Sequence, residues 1–333
     1  MMAETTRSRL LRFFKDNNIV FILILVYAAA CVAASPMITS GKSNNFIKLS
    51  NTLNILQNIG TYGILAMGLT FIFLVGGIDL SIGYQVGFDG ALFAILATHG
   101  VNLWLAMLIT VAAGLLIGYT NGLIVTRMRI TPLIGTLAVM TILKGLVYLI
   151  NSESISLTDV TVGEMSLKAV YTSQLLTFLS LPVILIIILT AAAVYFLKKT
   201  RSGVNLYIIG GNLEAGNLAG INSPGLTRLA YTIGGGCASI CAILVSMRMN
   251  AATYNMGDGI DITAICAIVV GGVKMKGGKG NMLMCIMGVA VIQIIANLMD
   301  KLHFSSAMIS LITGIIVVLV LILDKFTGRK EAM

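Results

Sequence analysis

The chain has 333 residues, of which 57% are hydrophobic and only 11% charged, with a mean hydropathy of +0.97 and a formal charge of +9. Soluble domains carry about 25% charged residues, so a water-soluble fold would lack the polar surface needed to cover itself. The cations sit between apolar blocks, which reads as membrane orientation and argues against nucleic-acid binding.

The apolar blocks are about 20 residues long, the length a helix needs to cross hydrocarbon. Lipid leaves no partner for a free backbone group, so spans are helices or a closed barrel. Long, non-alternating blocks favour helices. Ten spans are predicted, at 19–35, 53–75, 82–98, 103–126, 131–150, 176–197, 225–247, 261–273, 281–299 and 306–324. The eighth is short for a full crossing, and a re-entrant segment is its alternative. With the N-terminus inside, parity places 16 of the 22 Lys and Arg residues on one side, which predicts ten spans with both termini cytoplasmic. The N-terminus also imitates a secretory signal ending at Ala33-Ala34-Ser35. Cleavage would invert the remaining basic loops, so the charge pattern argues against it. The fold class expected is all-α, a polytopic transmembrane bundle forming one domain over 1–333, with 198–224 a cytoplasmic loop within it.

Between spans two and three the sequence reads Gly77-Ile78-Asp79-Leu80-Ser81, and between spans seven and eight Gly259-Ile260-Asp261-Ile262-Thr263. Their aspartates are 182 residues apart, and an odd number of spans separates them, so the copies face opposite sides. That predicts an inverted repeat of five plus five spans, against chance similarity of Gly-rich apolar segments. Asp89 falls inside span three, where an uncompensated charge costs at least ~2.5 kcal/mol. Gln85, one turn earlier, shares its face. Asp79, Ser81, Gln85, Asp89, Asn54, Gln57, Asn58, Asn121, Asp261 and Thr263 are the candidates for a polar translocation path. Hydrogen bonding between helices is the alternative for each, and for Asp79 and Ser81 it takes the form of a cap on span three. Gly234-Gly235-Gly236 in span seven reads as tight packing, with a hinge as the alternative.

No catalytic constellation is visible: HExxH and GxSxG are absent, and Gly41-Lys42-Ser43 and Gly278-Lys279-Gly280 are incomplete phosphate loops. No metal ligand set is expected, and Cys31, Cys237, Cys241, Cys266 and Cys285 lack paired spacing. His99 and His303 read as surface residues at helix ends. Aromatic residues are 7% of the chain, with a single Trp104, and no aromatic cage for a tight sugar site is visible.

Residues 198–222 are unusual for a membrane loop. Asn212 is placed to cap a short helix, Glu214 lies in its first turn, and Gly220 is placed to stop it. Ala215, Leu218 and Ala219 form a small apolar face, too small and too poor in Trp, Phe and Lys for a lipid-surface helix. A docking helix for a partner protein is predicted.

Residues 210–222 resemble the coupling segment of permeases in ribose- and galactose-type ATP-binding cassette importers. Gly76-Gly77-Ile78-Asp79-Leu80-Ser81-Ile82-Gly83 and the paired glycines 271–272 and 277–278 followed by Lys279-Gly280 match two further signatures of that family, in the same order, within a resemblance running from about residue 50 to 325. The resemblance implies a permease subunit, itself no enzyme, in the plasma (inner) membrane of a prokaryote. It would import a monosaccharide of galactose, methyl-galactoside or ribose type by alternating access. It implies as partners a second permease copy or paralogue, a cytoplasmic ATP-binding cassette subunit (often one double cassette), and an extracytoplasmic sugar-binding protein. ATP and Mg would be bound by the ATPase, and no cofactor by this chain. Asn212, Glu214, Ala215, Leu218, Ala219, Gly220 and Ile221 would dock on it. The sequence departs from the family pattern at Thr263, where a second acid is usual, at Gly216, where alanine is usual, and at Cys266. The rival reading is an ion-coupled secondary transporter with Asp89 and Asp79 as its ion site.

Overall fold

The computed structural model describes residues 18–34, 46–150, 153–173, 178–305, 307–309, 311–315, 318 and 322. The charged N-terminal segment and Gly41-Lys42-Ser43 lie outside these, as do parts of the candidate signal and of the first, sixth and tenth predicted spans.

Six described helices are long and apolar enough to cross a membrane: α2 (Leu49–Leu74), α4 (Leu103–Thr126), α5 (Pro132–Ile150), α7 (Leu181–Lys199), α10 (Ser223–Met249) and α12 (Met282–Lys301). Three shorter apolar helices accompany them, α1 (Asn18–Ala33), α3 (Ile82–Thr98) and α11 (Ile260–Val270). The ends follow local chemistry. The Asn102 side chain accepts the backbone N–H of Trp104 at 3.0 Å and starts α4. Asn222 accepts the N–H of Gly225 at 3.0 Å and, with Pro224 behind it, starts α10. Asn250 ends α10 in the left-handed conformation, φ 55°.

The bundle is layered by burial. In α2 and α10, 83% and 78% of the apolar span is buried, against 22% for α4, α5 and α7. Helices α2 and α10 are therefore the centre, and the other three present broad apolar faces outward. The central pair is antiparallel: Arg248 donates to Asn54 Oδ1 at 3.3 Å at one end, and the Tyr231 hydroxyl donates to Ile78 O at 3.1 Å at the other. Helix α10 passes through Gly234-Gly235-Gly236 unbroken, so the triplet is a packing device. A side chain on Gly235 would collide with the carbonyl of Gly114 and lie 2.9 Å from Gly118 Cα; its absence lets α4 and α10 meet backbone to backbone.

The expectation of an all-α chain needs one correction. Two small antiparallel pairs form, β1 (Ile155–Ser156) with β4 (Ala251–Ala252), and β2 (Thr161–Val162) with β3 (Met165–Ser166). They lie in the connections between helices. Helix α6 (Leu167–Thr172) follows directly and packs its Tyr171 hydroxyl 3.0 Å from Thr61 Oγ1 of α2.

Candidate functional site

At the Leu74 end of α2 three glycine-rich turns converge. Helix α2 runs into Gly76 and Gly77; α8 (Arg201–Gly211) ends on Gly210 and Gly211; and the loop after α11 brings Gly277 and Gly278. The Gly278 N–H donates to Leu74 O at 3.0 Å. Gly277 has φ +88°, and a Cβ there would lie 2.7 Å from both Gly210 O and Gly76 N. A Cβ on Gly210 would run into Leu74 O and sit 2.6 Å from Gly278 N. Only hydrogen fits at these positions, because three backbones share one space. The Tyr207 hydroxyl of α8 donates to Gly280 O at 3.1 Å, and burial pushes its phenol pKa up. The segments 76–83, 210–222 and 271–280, far apart in sequence, thus form one junction.

Below this junction stands α9 (Leu213–Leu218). Asn212 caps it as expected, its Oδ1 accepting the Ala215 N–H at 3.0 Å, with Glu214 in the first turn. The stop is also as expected: Gly220 has φ +75°, and Ile221 N–H returns to Gly216 O at 3.0 Å. The Ser223 hydroxyl donates to Asn217 Oδ1 at 2.6 Å, tying α9 to the start of α10. The apolar face is oriented differently from a helix that covers its own protein. Gly216 is the buried residue, against Ile209, while Ala215 and Ala219 are exposed and Leu218 is 90% exposed. Glu214 is exposed as well.

The polar residues inside the bundle form two buried clusters. Asp79 Oδ1 accepts the Ser81 N–H at 2.8 Å and the Ser81 hydroxyl at 2.6 Å, fixing the start of α3. Asn121 of α4 donates to Asp79 Oδ2 at 3.2 Å and to Ser81 Oγ at 2.8 Å. Two turns deeper, the Ser239 hydroxyl of α10 donates to Asp89 Oδ2 at 2.7 Å. Gln85 Nε2 lies 3.3 Å from the same oxygen and donates to Gly235 O at 3.0 Å. All five of Asp79, Ser81, Gln85, Asp89 and Asn121 are buried. Gln85 Oε1, Asp89 Oδ1 and Asn121 Oδ1 have no hydrogen-bond partner among the described residues. These groups join α3, α4 and α10.

The remaining candidates lie elsewhere. Asn54 is half-buried on Arg248, and Gln57 and Asn58 are buried in α2. Asp261, in the first turn of α11, is half-buried, and the Thr263 hydroxyl turns back to Gly259 O at 2.8 Å. The start of α3 abuts this second turn: a Cβ on Gly83 would lie 2.8 Å from Gly257 O and 3.2 Å from Asp261 Oδ1.

The fold also brings together residues that no sequence spacing pairs. Lys144 of α5 sits over the ring of Tyr84 of α3, 5.3 Å from its centroid. Tyr148 of α5 and Tyr254 of the loop before α11 place their rings 5.3 Å apart at 37°. Asp258 of the same loop faces the Tyr84 hydroxyl. The three tyrosines come from three separate elements, so no spacing announced them.

Residues 51–321 match the family described as branched-chain amino acid transport system / permease component. The ribose import permease protein RbsC of Haemophilus influenzae is 28% identical over 331 residues, 99% of this chain and 99% of that one. Its namesake in Escherichia coli K12 is 31% identical over 287 residues, covering 86% of this chain and 89% of that one. The galactofuranose transporter permease protein YtfT of Escherichia coli K12 is 32% identical over 242 residues, covering 72% and 70%. No solved structure matches the chain.

Proposed function

Because the chain belongs to the family of branched-chain amino acid transport system / permease components, we propose that it is the membrane subunit of an ATP-driven importer of a monosaccharide. The observation that carries the proposal is the junction of 76–83, 210–222 and 271–280 with the exposed helix α9 beneath it. A push on α9 reaches α8 through Gly216 against Ile209, and from Gly210 and Gly211 it reaches the end of α2 and the loop after α11 through contacts between backbones. Asn212, Glu214, Ala215, Leu218, Ala219, Gly220 and Ile221 dock on a cytoplasmic ATPase that binds ATP and Mg. Two copies or paralogues of the permease line one path, and an extracytoplasmic binding protein delivers the sugar. Driven closure of the ATPase then rocks packed helices between two arrangements. Relatives named for ribose and galactofuranose support a pentose or hexose cargo.

The membrane arrangement proposed is ten spans, with the Leu74 end of α2 and both termini cytoplasmic. What supports an inverted repeat is the pair of short helices. Helix α3 has 17 residues and α11 has 11, the first Gly-Ile-Asp precedes α3 while the second supplies the cap and first residues of α11, and the start of α3 meets the turn before α11. At 1.5 Å per residue they are about 25 Å and 16 Å long, so neither alone crosses a hydrocarbon core of about 30 Å. The buried Asp79 and Asp89 clusters hold α3 to α4 and α10 during the stroke, while Asp261 and Thr263 border the path.

Reconstitution in vesicles with the ATPase and binding protein encoded beside it tests the proposal. ATP-dependent uptake of labelled D-ribose or D-galactose is expected. Uptake driven by an ion gradient with no ATPase present would overturn it.

A further inference from the structure

The exposed cluster on α3, α5 and the loop before α11 has a composition that lipid would not tolerate. Helix α5 carries one charged residue in its whole length, Lys144. It lies six residues from Ile150, about 9 Å inside the helix end. Its neighbours Leu143 and Val147 are buried, whereas Lys144 itself is exposed. A charge held at that depth against hydrocarbon is costly, and it is relieved by snorkelling to the interface or by a water-filled cavity. The contacts of Lys144 point to the cavity. Its ammonium sits over Tyr84, and Tyr148 follows one helical turn later, paired with Tyr254. Tyr148 and Tyr254 are 44% and 38% exposed, so their ring faces remain available. Asp258 is exposed beside Tyr84.

We infer that Tyr84, Lys144, Tyr148, Tyr254 and Asp258 form a weak sugar-gripping subsite on a wet wall of the path. A neutral pyranose or furanose has an apolar C–H face and a rim of hydroxyls. The tyrosine rings offer a flat apolar surface with polar tips. Asp258 accepts hydrogen bonds from sugar hydroxyls, and Lys144 donates to them. The groups form a one-sided wall, which favours loose holding and ready release. The strip begins at the end of α5 and leads along α3 toward Gly83 and Asp261. This inference rests on the reading of the chain as a sugar permease and names where that sugar touches it.

Two experiments test it. In membrane vesicles, Lys144→Cys in a Cys31→Ser background is treated with a charged, membrane-impermeant methanethiosulfonate. Rapid labelling is expected; an unreactive thiol would mean a lipid-covered face and would overturn the inference. In the assembled transporter, Tyr148→Ala with Tyr254→Ala is expected to slow D-ribose or D-galactose uptake about tenfold, with binding-protein-stimulated ATP hydrolysis unchanged. The matching Phe pair keeps both rings and is expected to retain most uptake, which separates lost stacking from lost folding. Uptake by the alanine pair at the parental rate overturns the subsite alone. If the unaltered complex moves no sugar under ATP, the permease reading falls with it.

Discussion

The two Gly-Ile-Asp turns have nearly the same sequence and opposite surroundings. Asp79 is 1% exposed and anchored by Ser81 and Asn121. Asp261 is half-buried, and Thr263, which holds the place of Ser81, spends its hydroxyl on its own helix. The neighbours differ. The first turn is roofed by Asn121 of α4 and Tyr231 of α10, and the second abuts the bare backbone of Gly83. The repeated motif does not fix one backbone. Gly77-Ile78-Asp79 runs without helix ahead of α3, whereas Gly259 is left-handed at φ +74° and Ile260 and Asp261 already belong to α11. Conformation and packing together decide whether the acid is a tie or an accessible group. Helix α9 is the far end of the same scale, a capped turn with nearly every side chain in the open.

If that scale is right, stability losses should fall along it. Asp79→Ala is the largest. It strips the acceptor from the Ser81 N–H, the Ser81 hydroxyl and the Asn121 amide at once, in a buried place. We expect a loss of about 3 kcal/mol, read as a fall of several degrees in thermal unfolding in detergent. The buried thiols of Cys237 and Cys241 become reactive on opening and supply the signal. An unshifted transition would break the comparison at its locked end. Asp89→Ala comes next, at about 2 kcal/mol, since it leaves Ser239 and Gln85 with carbonyl partners at Gly235. Uptake should change while ATPase docking does not. Asp89→Asn keeps an oxygen for Ser239 and should recover most of the stability.

Asp261→Ala sharpens the open side of the comparison. A half-exposed group with few partners costs about 0.5 kcal/mol or less when removed, so its unfolding curve should overlay the parent. A border position on the path predicts altered uptake kinetics all the same. A destabilisation equal to that of Asp79→Ala would mean the second turn is as locked as the first.

Hydropathy alone made the six long apolar helices legible, because lipid forces a spanning segment into a helix with its backbone satisfied. Local chemistry made α9 legible too: Asn212, Glu214 and Gly220 act within a few residues of themselves, and each does what its type dictates. The limits appear wherever a role depends on a distant neighbour. Asp89 could be read from sequence as a path residue or a helix tie, and its partner Ser239, 150 residues away, is invisible to any local reading. The convergence of Gly76, Gly210 and Gly277 is equally non-local, as is the meeting of Tyr84, Tyr148 and Tyr254 that the low aromatic content concealed. The pairs β1–β4 and β2–β3 are two residues long, too short to show an alternating pattern. On α9 the periodicity grouped Ala215, Leu218 and Ala219, and all three are exposed, but it could not show that Gly216 packs against Ile209.

That outward face supplies the smallest expected change in stability and the most telling one in function. Glu214 makes no ion pair among the described residues, and its place in the first turn contributes only a modest interaction with the helix dipole, typically 0.3–1 kcal/mol. Glu214→Arg should therefore leave insertion, assembly of the permease pair and the unfolding transition close to the parent. It reverses a charge at the centre of the surface proposed to meet the ATPase. If that surface carries the stroke, the altered complex hydrolyses ATP without moving sugar, because closure of the ATPase no longer reaches the junction at Gly210 and Gly277. Normal uptake by Glu214→Arg would show that α9 is exposed for some other reason, and the open end of the scale would then mark plain solvent contact.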